Sequence, residues 1–425
     1  TQGRHFFRMF NGMGDDQRAA AYLNGKSFEQ AVLDNTLSTE VFYEMMKLKG
    51  VYLRNYINSR LSSNEFKEFM AEFMKKYQFQ EVNFTRLNSE FIRKFHFNLM
   101  DFIPNWYTIN STPRFIVKGV DADQVEIGDY TKYIVKFQVY NPTNVEGVIS
   151  VNVEEGGGMF PGGPRGRRGR AAQMESKPAK NYIIEPRKYK EIRILCDERP
   201  SNLTINTNIS QNLPSTIMQN FAKVTTTTTD TVTGIFDSNA ALFTFNPKEI
   251  TVDNEDPGFR IIESNQKNKL QSFFKKESED KYKNLNFWMP PSKWTATIGV
   301  NYYGDYINSA VYKKSGSGSN KTEWTTQIQI PGFYEVFVYT SELPMMGWRR
   351  RGSEEKKMQY YTVKHDDGEE EISVETGRGR QGWMTLGSFY FSAGEAKITL
   401  SDKGSESNQI IFADAVKWVY TNNNK

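Results

Sequence analysis

The sequence predicts a multidomain α+β protein: a helical segment over residues 1–110, a β-sandwich over 111–223, a linker or edge segment over 224–249, and a second β-sandwich over 250–425. Three observations predict this. Apolar residues recur at three- and four-residue spacing from Leu37 to Leu99, the period of amphipathic helices, and change to two-residue alternation in short runs from Phe115 onward. At 425 residues the chain is too long for one ordinary core, and the tract Thr225 to Thr229 interrupts the alternation between two sets of strands.

Residues 1–25 hold Phe6, Phe7 and Phe10 among glycines without a clean period, and the first residue is Thr1. Both features suggest a processed chain, or one cut from something longer. Leu37, Val41, Met45, Leu48, Tyr52 and Tyr56 then define one apolar helical face. Ser62-Ser63-Asn64-Glu65 offers a capping box ahead of Phe66, Phe69, Met70, Phe73 and Tyr77. A third helix carries Phe84, Leu87, Phe91, Phe95 and Leu99 and is expected to stop near Pro104.

Strands follow at 115–117, 133–140, 148–153, 182–184, 192–195 and 203–207, with Asn141-Pro142-Thr143-Asn144 as a turn. Short strands at this spacing favour an immunoglobulin-like sandwich. Within it, Gly156 to Arg170 is a low-complexity loop whose glycines remove order and whose Arg165, Arg167, Arg168 and Arg170 repel one another. It lacks the interleaved aromatics of a nucleic-acid segment and reads as a solvated hairpin extension. The C-terminal strands lie at 333–339, 360–365, 372–374, 389–391 and 398–400, with turns at Asp367-Gly368 and Ala393-Gly394.

Two resemblances sit on these residues. Asp256-Pro257-Gly258-Phe259, Trp288, Tyr303-Gly304-Asp305-Tyr306, Pro331 to Val336, Tyr361 to His365, Gly382-Trp383, Leu386 to Phe391 and Ala413-Asp414-Ala415-Val416 stand in the order of the golvesin C-terminal-like domain, also found on enzymes labelled xanthan lyases. That resemblance implies a non-catalytic β-sandwich, like a carbohydrate-binding module in outline, attached to secreted enzymes. Lys49 to Tyr56, Glu65 to Phe69, Lys76 to Phe79 and Phe102 to Trp106 resemble the C-terminal helices of an M1-type zinc aminopeptidase-like domain. That second resemblance, over residues 40–115, implies helices that leaned on an upstream peptidase-like domain and a β domain following them.

Composition bounds the chemistry. A formal charge of +4, from 54 basic and 50 acidic residues, offers no chain-wide attraction for nucleic acid. Cys196 is the sole cysteine, which excludes an intrachain disulfide and leaves it as a small buried hydrophobe. No apolar run approaches the roughly 20 residues that cross a bilayer. The three histidines, His5, His96 and His365, are nowhere four residues apart, so no His-Glu-x-x-His zinc helix exists here and zinc belongs, if anywhere, to an upstream catalytic domain. His96 reads as a helix-flank residue and His365 as the end of a strand.

The tryptophans are the remaining signal. A sugar site needs an exposed planar ring with hydrogen-bonding groups beside it, because pyranose faces are apolar and their edges polar. Trp418 alternates with core residues; Trp383, after Gly382, is either a core anchor or a rim platform. Trp348 with Arg349 and Arg350 lies on a glycine- and arginine-rich loop. Trp348, Trp383, Arg349 and Arg350 are therefore the candidate ligand contacts, with no catalytic residue, cofactor or metal ligand assigned. Asp253, Asp256, Asp305 and Asp414 would support calcium only if the fold gathered them, and carboxylates in turns more often bind backbone amides. The expected function is a non-catalytic accessory region of a periplasmic or extracellular peptidase-like protein that binds a substrate, glycan or surface protein. The alternatives are the C-terminal part of an active zinc aminopeptidase and a carbohydrate-binding region associated with a polysaccharide lyase.

Overall fold

Side-chain caps set where the helices begin. The computed structural model describes residues 15–156, 179–221, 224, 226–263, 281–341, 357–377 and 380–421, in two compact units divided between Phe243 and Thr244. In the first unit, helices α1 (Asp15–Leu23), α2 (Phe28–Leu33), α3 (Thr39–Asn58), α4 (Ser63–Lys76), α5 (Phe84–Phe95) and α6 (Ile103–Thr108) follow one another. The capping box of α4 forms as its sequence requires: the Glu65 amide donates to Ser62 Oγ at 3.2 Å and the Ser62 amide to the Glu65 carboxylate at 2.8 Å. Ser38 and Asn83 cap α3 and α5 by accepting from the Val41 and Arg86 amides, without the reciprocal bond.

The third predicted helix ends earlier than expected. His96 takes a left-handed conformation, φ 54°, and closes α5 as its C-cap; a 3₁₀ turn at Leu99–Asp101 intervenes, and Pro104 lies in the first turn of α6 rather than stopping a helix. Proline is tolerated there because the first helical amides have no intrahelical partner. Two helix clusters result, one around Ala19, Leu23, Ala31, Val41 and Met45, the other around Ile57, Phe69, Phe73, Phe91 and Leu99. Lys49 and Trp106 fasten α3 to α6 reciprocally, Lys49 Nζ donating to the Trp106 carbonyl at 2.6 Å and the indole N–H to the Lys49 carbonyl at 3.1 Å.

The same unit continues as two sheets. Strands β1 (Ile116–Ile127), β2 (Tyr130–Tyr140), β3 (Gly147–Glu155), β4 (Lys180–Ile184), β5 (Tyr189–Cys196), β6 (Pro200–Asn206), β7 (Thr216–Asn220), β8 (Thr226–Thr227) and β9 (Gly234–Asp237) arrange as β8-β1-β2-β5-β9 and β4-β3-β6-β7. Both sheets feed one core that includes Phe137, Val139, Ile149, Val151, Ile192 and Cys196, the last fully buried. The predicted turn is held by Asn141, whose Oδ1 accepts from the Thr143 amide and hydroxyl at 3.1 and 2.7 Å. Of the arginine–glycine loop, residues 157–170 lie outside the described residues.

Among the described residues the second unit has twelve strands: β10 (Glu249–Val252), β11 (Phe259–Ile262), β12 (Thr295–Ile298), β13 (Ser309–Lys314), β14 (Lys321–Ile328), β15 (Gly332–Thr340), β16 (Lys357–His365), β17 (Gly368–Thr376), β18 (Gly382–Phe391), β19 (Gly394–Gly404), β20 (Ile410–Ala413) and β21 (Val416–Thr421). They form sheets β10-β21-β15-β18, β11-β14-β19-β16-β17 and β12-β13-β20. The first two enclose a core of Val336, Val338, Tyr361, Val363, Phe389, Ile398, Leu400 and Trp418. Alternation along β15 sends Tyr334, Val336 and Val338 inward and leaves Phe333, Glu335, Phe337 and Tyr339 on the outer face. The small third sheet carries its own cluster of Tyr302, Tyr312 and Phe412, against which Leu285 and Phe287 pack.

Candidate functional site

Strand register places a group of rings on the outer face of β10-β21-β15-β18. Tyr339 on β15 lies opposite Trp383 on β18, and Phe337 lies opposite Lys417 on β21. A register shift between Val336 and Phe337 absorbs the extra residue on β18 and keeps Trp383 on the face of Tyr339. The Trp383 ring meets Tyr339 edge-on at 5.3 Å and Tyr303 at 5.1 Å, while Tyr303 and Tyr339 stand 5.7 Å apart. Lys417 Nζ sits 4.7 Å from the Trp383 centroid and 5.5 Å from that of Phe337, and pairs with the exposed Glu249 at 3.5 Å. Trp383 is half-buried, held by rings on its edges and an ammonium over a face, so it is neither a core tryptophan nor a free one.

Tyr303 arrives from a loop, and Asp414 holds it there. The Tyr303 amide donates to the two Asp414 carboxylate oxygens at 3.3 and 3.2 Å, and Ser341 Oγ donates to the same carboxylate at 3.2 Å. Gly304 beside it has φ +152°, and a Cβ there would lie 1.9 Å from the Ile307 carbonyl oxygen, so only glycine lets the loop turn at this point. Burial, and then the neighbouring Asp253 carboxyl, push the Asp414 carboxyl well above the ordinary carboxylate range. Burial also lifts Asp253 to about 8, helped by Asp256, Glu255 and Asp305, and raises Asp256. The fold does gather these acids. Among the described residues, however, no group of three or more His, Cys, Asp or Glu is arranged to hold a metal ion. Burial raises the phenols of Tyr303 and Tyr339 as well, which keeps both as neutral hydroxyls.

The arrangement therefore offers apolar ring surface, phenolic hydroxyls and one ammonium, with no nucleophile beside a base. At its margin the Gln381 side chain donates to the Asn301 carbonyl at 3.4 Å, and the Thr340 hydroxyl donates to the Arg380 carbonyl. Of the residues singled out in the sequence, Trp383 is in this group. Trp348, Arg349 and Arg350 lie outside the described residues. Trp418 is fully buried, and Trp324 is buried with its indole N–H donating to the Asp414 carbonyl at 3.1 Å. His365 packs on Phe389 at 5.0 Å, while Asp366 accepts from Ser392 rather than pairing with it.

Sequence reasoning missed Tyr303, Tyr339 and Lys417, and it gave no role to Trp288. Trp288 is 63% exposed and Met289 72%, on a stretch anchored by Phe287. The two prolines that follow, Pro290 and Pro291, were the local signal that this tryptophan stands on a loop.

Residues 283–420 match the family described as Golvesin C-terminal domain, about a third of the chain. No curated protein matches. Solved structures with likeness to the chain include a Paenibacillus xanthan lyase, at 14% identity and TM-score 0.29, covering 73% of this chain and 26% of that one. A family 35 carbohydrate binding module from Clostridium thermocellum has 13% identity and TM-score 0.25, covering 40% and 98%. An exo-beta-1,3-galactanase from Phanerochaete chrysosporium has 15% identity and TM-score 0.20, covering 31% and 27%. The chain spans about a quarter of the length of the lyase, and at these scores the structural likenesses carry no inference. No comparison supports the aminopeptidase-like resemblance of residues 40–115.

Proposed function

We propose that the C-terminal unit is a non-catalytic carbohydrate-binding accessory region, and that its contact surface is the outer sheet face around Trp383. The observation that carries this reading is the half-buried group of Trp383, Tyr303 and Tyr339 with Lys417 beside it: an apolar cluster of rings set edge to face, bordered by hydroxyls, an amide and an ammonium. Sugar rings present apolar C–H faces and polar edges, and such a patch is complementary to both. The family match over 283–420 supports an accessory role, and the lack of an assembled acid–base or nucleophile pair in the ring group fits binding without turnover. An accessory region of this kind would act beside a catalytic partner in a periplasmic or extracellular setting, holding it near a polymer.

The test is binding of the purified chain to a panel of neutral and acidic polysaccharides and oligosaccharides, by calorimetry and affinity electrophoresis. Trp383→Ala, checked for folding by circular dichroism, is expected to weaken binding by about 1–3 kcal/mol, as loss of a stacked aromatic hot spot does. A folded wild-type chain that binds nothing in the panel would sink the proposal. Undiminished binding by folded Trp383→Ala would move the site elsewhere.

A further inference from the structure

The turn between α4 and α5 displays an aromatic ring in a conformation that such a residue avoids. Phe79 has φ 62° and is 99% exposed, although glycine or asparagine occupies the left-handed region more readily and a phenylalanine side chain favours burial. Val82 and Phe84, just beyond it, are 41% and 36% exposed. Phe84 also forms part of the wall of a cleft of about 170 Å³ between α3, α4 and α5, lined with Leu53, Phe66, Met70, Leu87 and Phe91. Apolar cavities of roughly 150 Å³ accept a benzene molecule, so this cleft has room for one phenyl ring. The exposed ring and the wall of the cleft are thus carried by one short stretch of chain, from Phe79 to Phe84.

Charge gives these helices a direction. Arg54 is exposed at the cleft and has no carboxylate partner among the described residues. Glu81, two residues after Phe79, is exposed, and its carboxylate has no cationic partner among the described residues, only its carbonyl accepting from Arg86. A cleft beside an unpaired cation and a ring beside an unpaired anion are complementary, and because the α3–α5 helices of each chain carry both halves, two copies can exchange them in a two-fold, isologous contact. We propose that two copies of this chain pair through the α3–α5 face, each Phe79 seated in the other's cleft and each Glu81 set against the other's Arg54. The proposal is independent of the carbohydrate reading, which concerns the other unit.

Sedimentation velocity and light scattering of the full 425-residue chain, from sub-micromolar to about 100 μM, test it. The wild type is expected to dimerise with concentration. Phe79→Gly should be monomeric with an unchanged or higher melting temperature, because glycine relaxes the left-handed turn. Arg54→Glu and Glu81→Arg should each weaken dimerisation about tenfold, and the double variant Arg54→Glu/Glu81→Arg should restore it. A wild type that stays monomeric throughout the range, a dimer untouched by Phe79→Gly, or a double variant as weak as the singles would each overturn the pairing.

Discussion

Of the places where the C-terminal unit buries ionisable groups, two solve the problem in opposite ways. At the first, Lys313 and Asp402 are 3% and 0% exposed and form a salt bridge; Asp402 also accepts from the Gly318 amide at 2.7 Å and from Asn320 Nδ2 at 2.9 Å. Burial opposes ionisation of Asp402, yet these hydrogen bonds, with Lys313 foremost, hold its carboxyl below the ordinary range. At the second, Asp253 and Asp414 are 7% and 2% exposed and repel each other, with no basic side chain among the described residues bonded to either, and both are raised instead. The same side chain is a charged staple in one setting and a neutral hydrogen-bonding group in the other. Which it becomes depends on whether a cation shares its burial, and the site without a cation is the one that anchors Tyr303 in the candidate binding face.

The largest expected effect breaks the first site. Lys313→Met leaves Asp402 buried without its cation and should destabilise the unit by about 3–5 kcal/mol, read by chemical denaturation; a loss under about 1 kcal/mol would show the pair to be incidental. Replacing both, as Lys313→Met with Asp402→Leu, should recover much of that loss. The second effect is one of pH. Between the ordinary carboxylate pKa and about 8, Asp253 holds a proton in the folded chain that the unfolded chain has lost, so its contribution falls as pH rises through this window, by up to about 1.4 kcal/mol per unit. Asp402 acts with the opposite sign: its folded value is depressed, so its contribution is present at neutral pH and lost on acidification below the ordinary carboxylate range. The difference between denaturation curves at pH 5 and 8 should therefore shrink in Asp253→Asn, the raised Asp414 and Asp256 supplying what remains, and an unaltered difference would refute the neutral-acid account. The smallest effect sharpens the contrast. Asp414→Asn keeps an acceptor for Tyr303 and Ser341 and should change stability at pH 6 by less than about 1 kcal/mol, whereas Asp402→Asn should be clearly more damaging.

Much of the local structure was legible in the chain. The Ser62–Glu65 box, the alternation of β15, the Asp367-Gly368 turn and the burial of Cys196 and Trp418 all follow from interactions within a few residues or from the period of one strand. The early stop of α5 was less legible, because apolar spacing continues through Leu99 while the backbone reverses hand at His96. A period reports which positions want burial and not where the backbone stops being helical.

The candidate face was legible only in part. Trp383 could be singled out from its glycine neighbour and ring size, but whether it was core or rim could not, since strand alternation says nothing about what the next strand brings. That was decided by the order β10-β21-β15-β18, which sets Lys417 and Tyr339 beside Trp383, and by the bond from the Tyr303 amide to Asp414, which delivers a ring from a distant loop. The sequence by itself determined the α+β division, the capped helices, the strand alternation and the residue types able to stack on a ligand, all properties of short-range sterics and burial preference. Only the tertiary structure decided which rings meet, which carboxyls share a buried site without a cation, and which phenylalanine is left in water. Those depend on pairings between residues far apart in the chain, whose energies no local window contains.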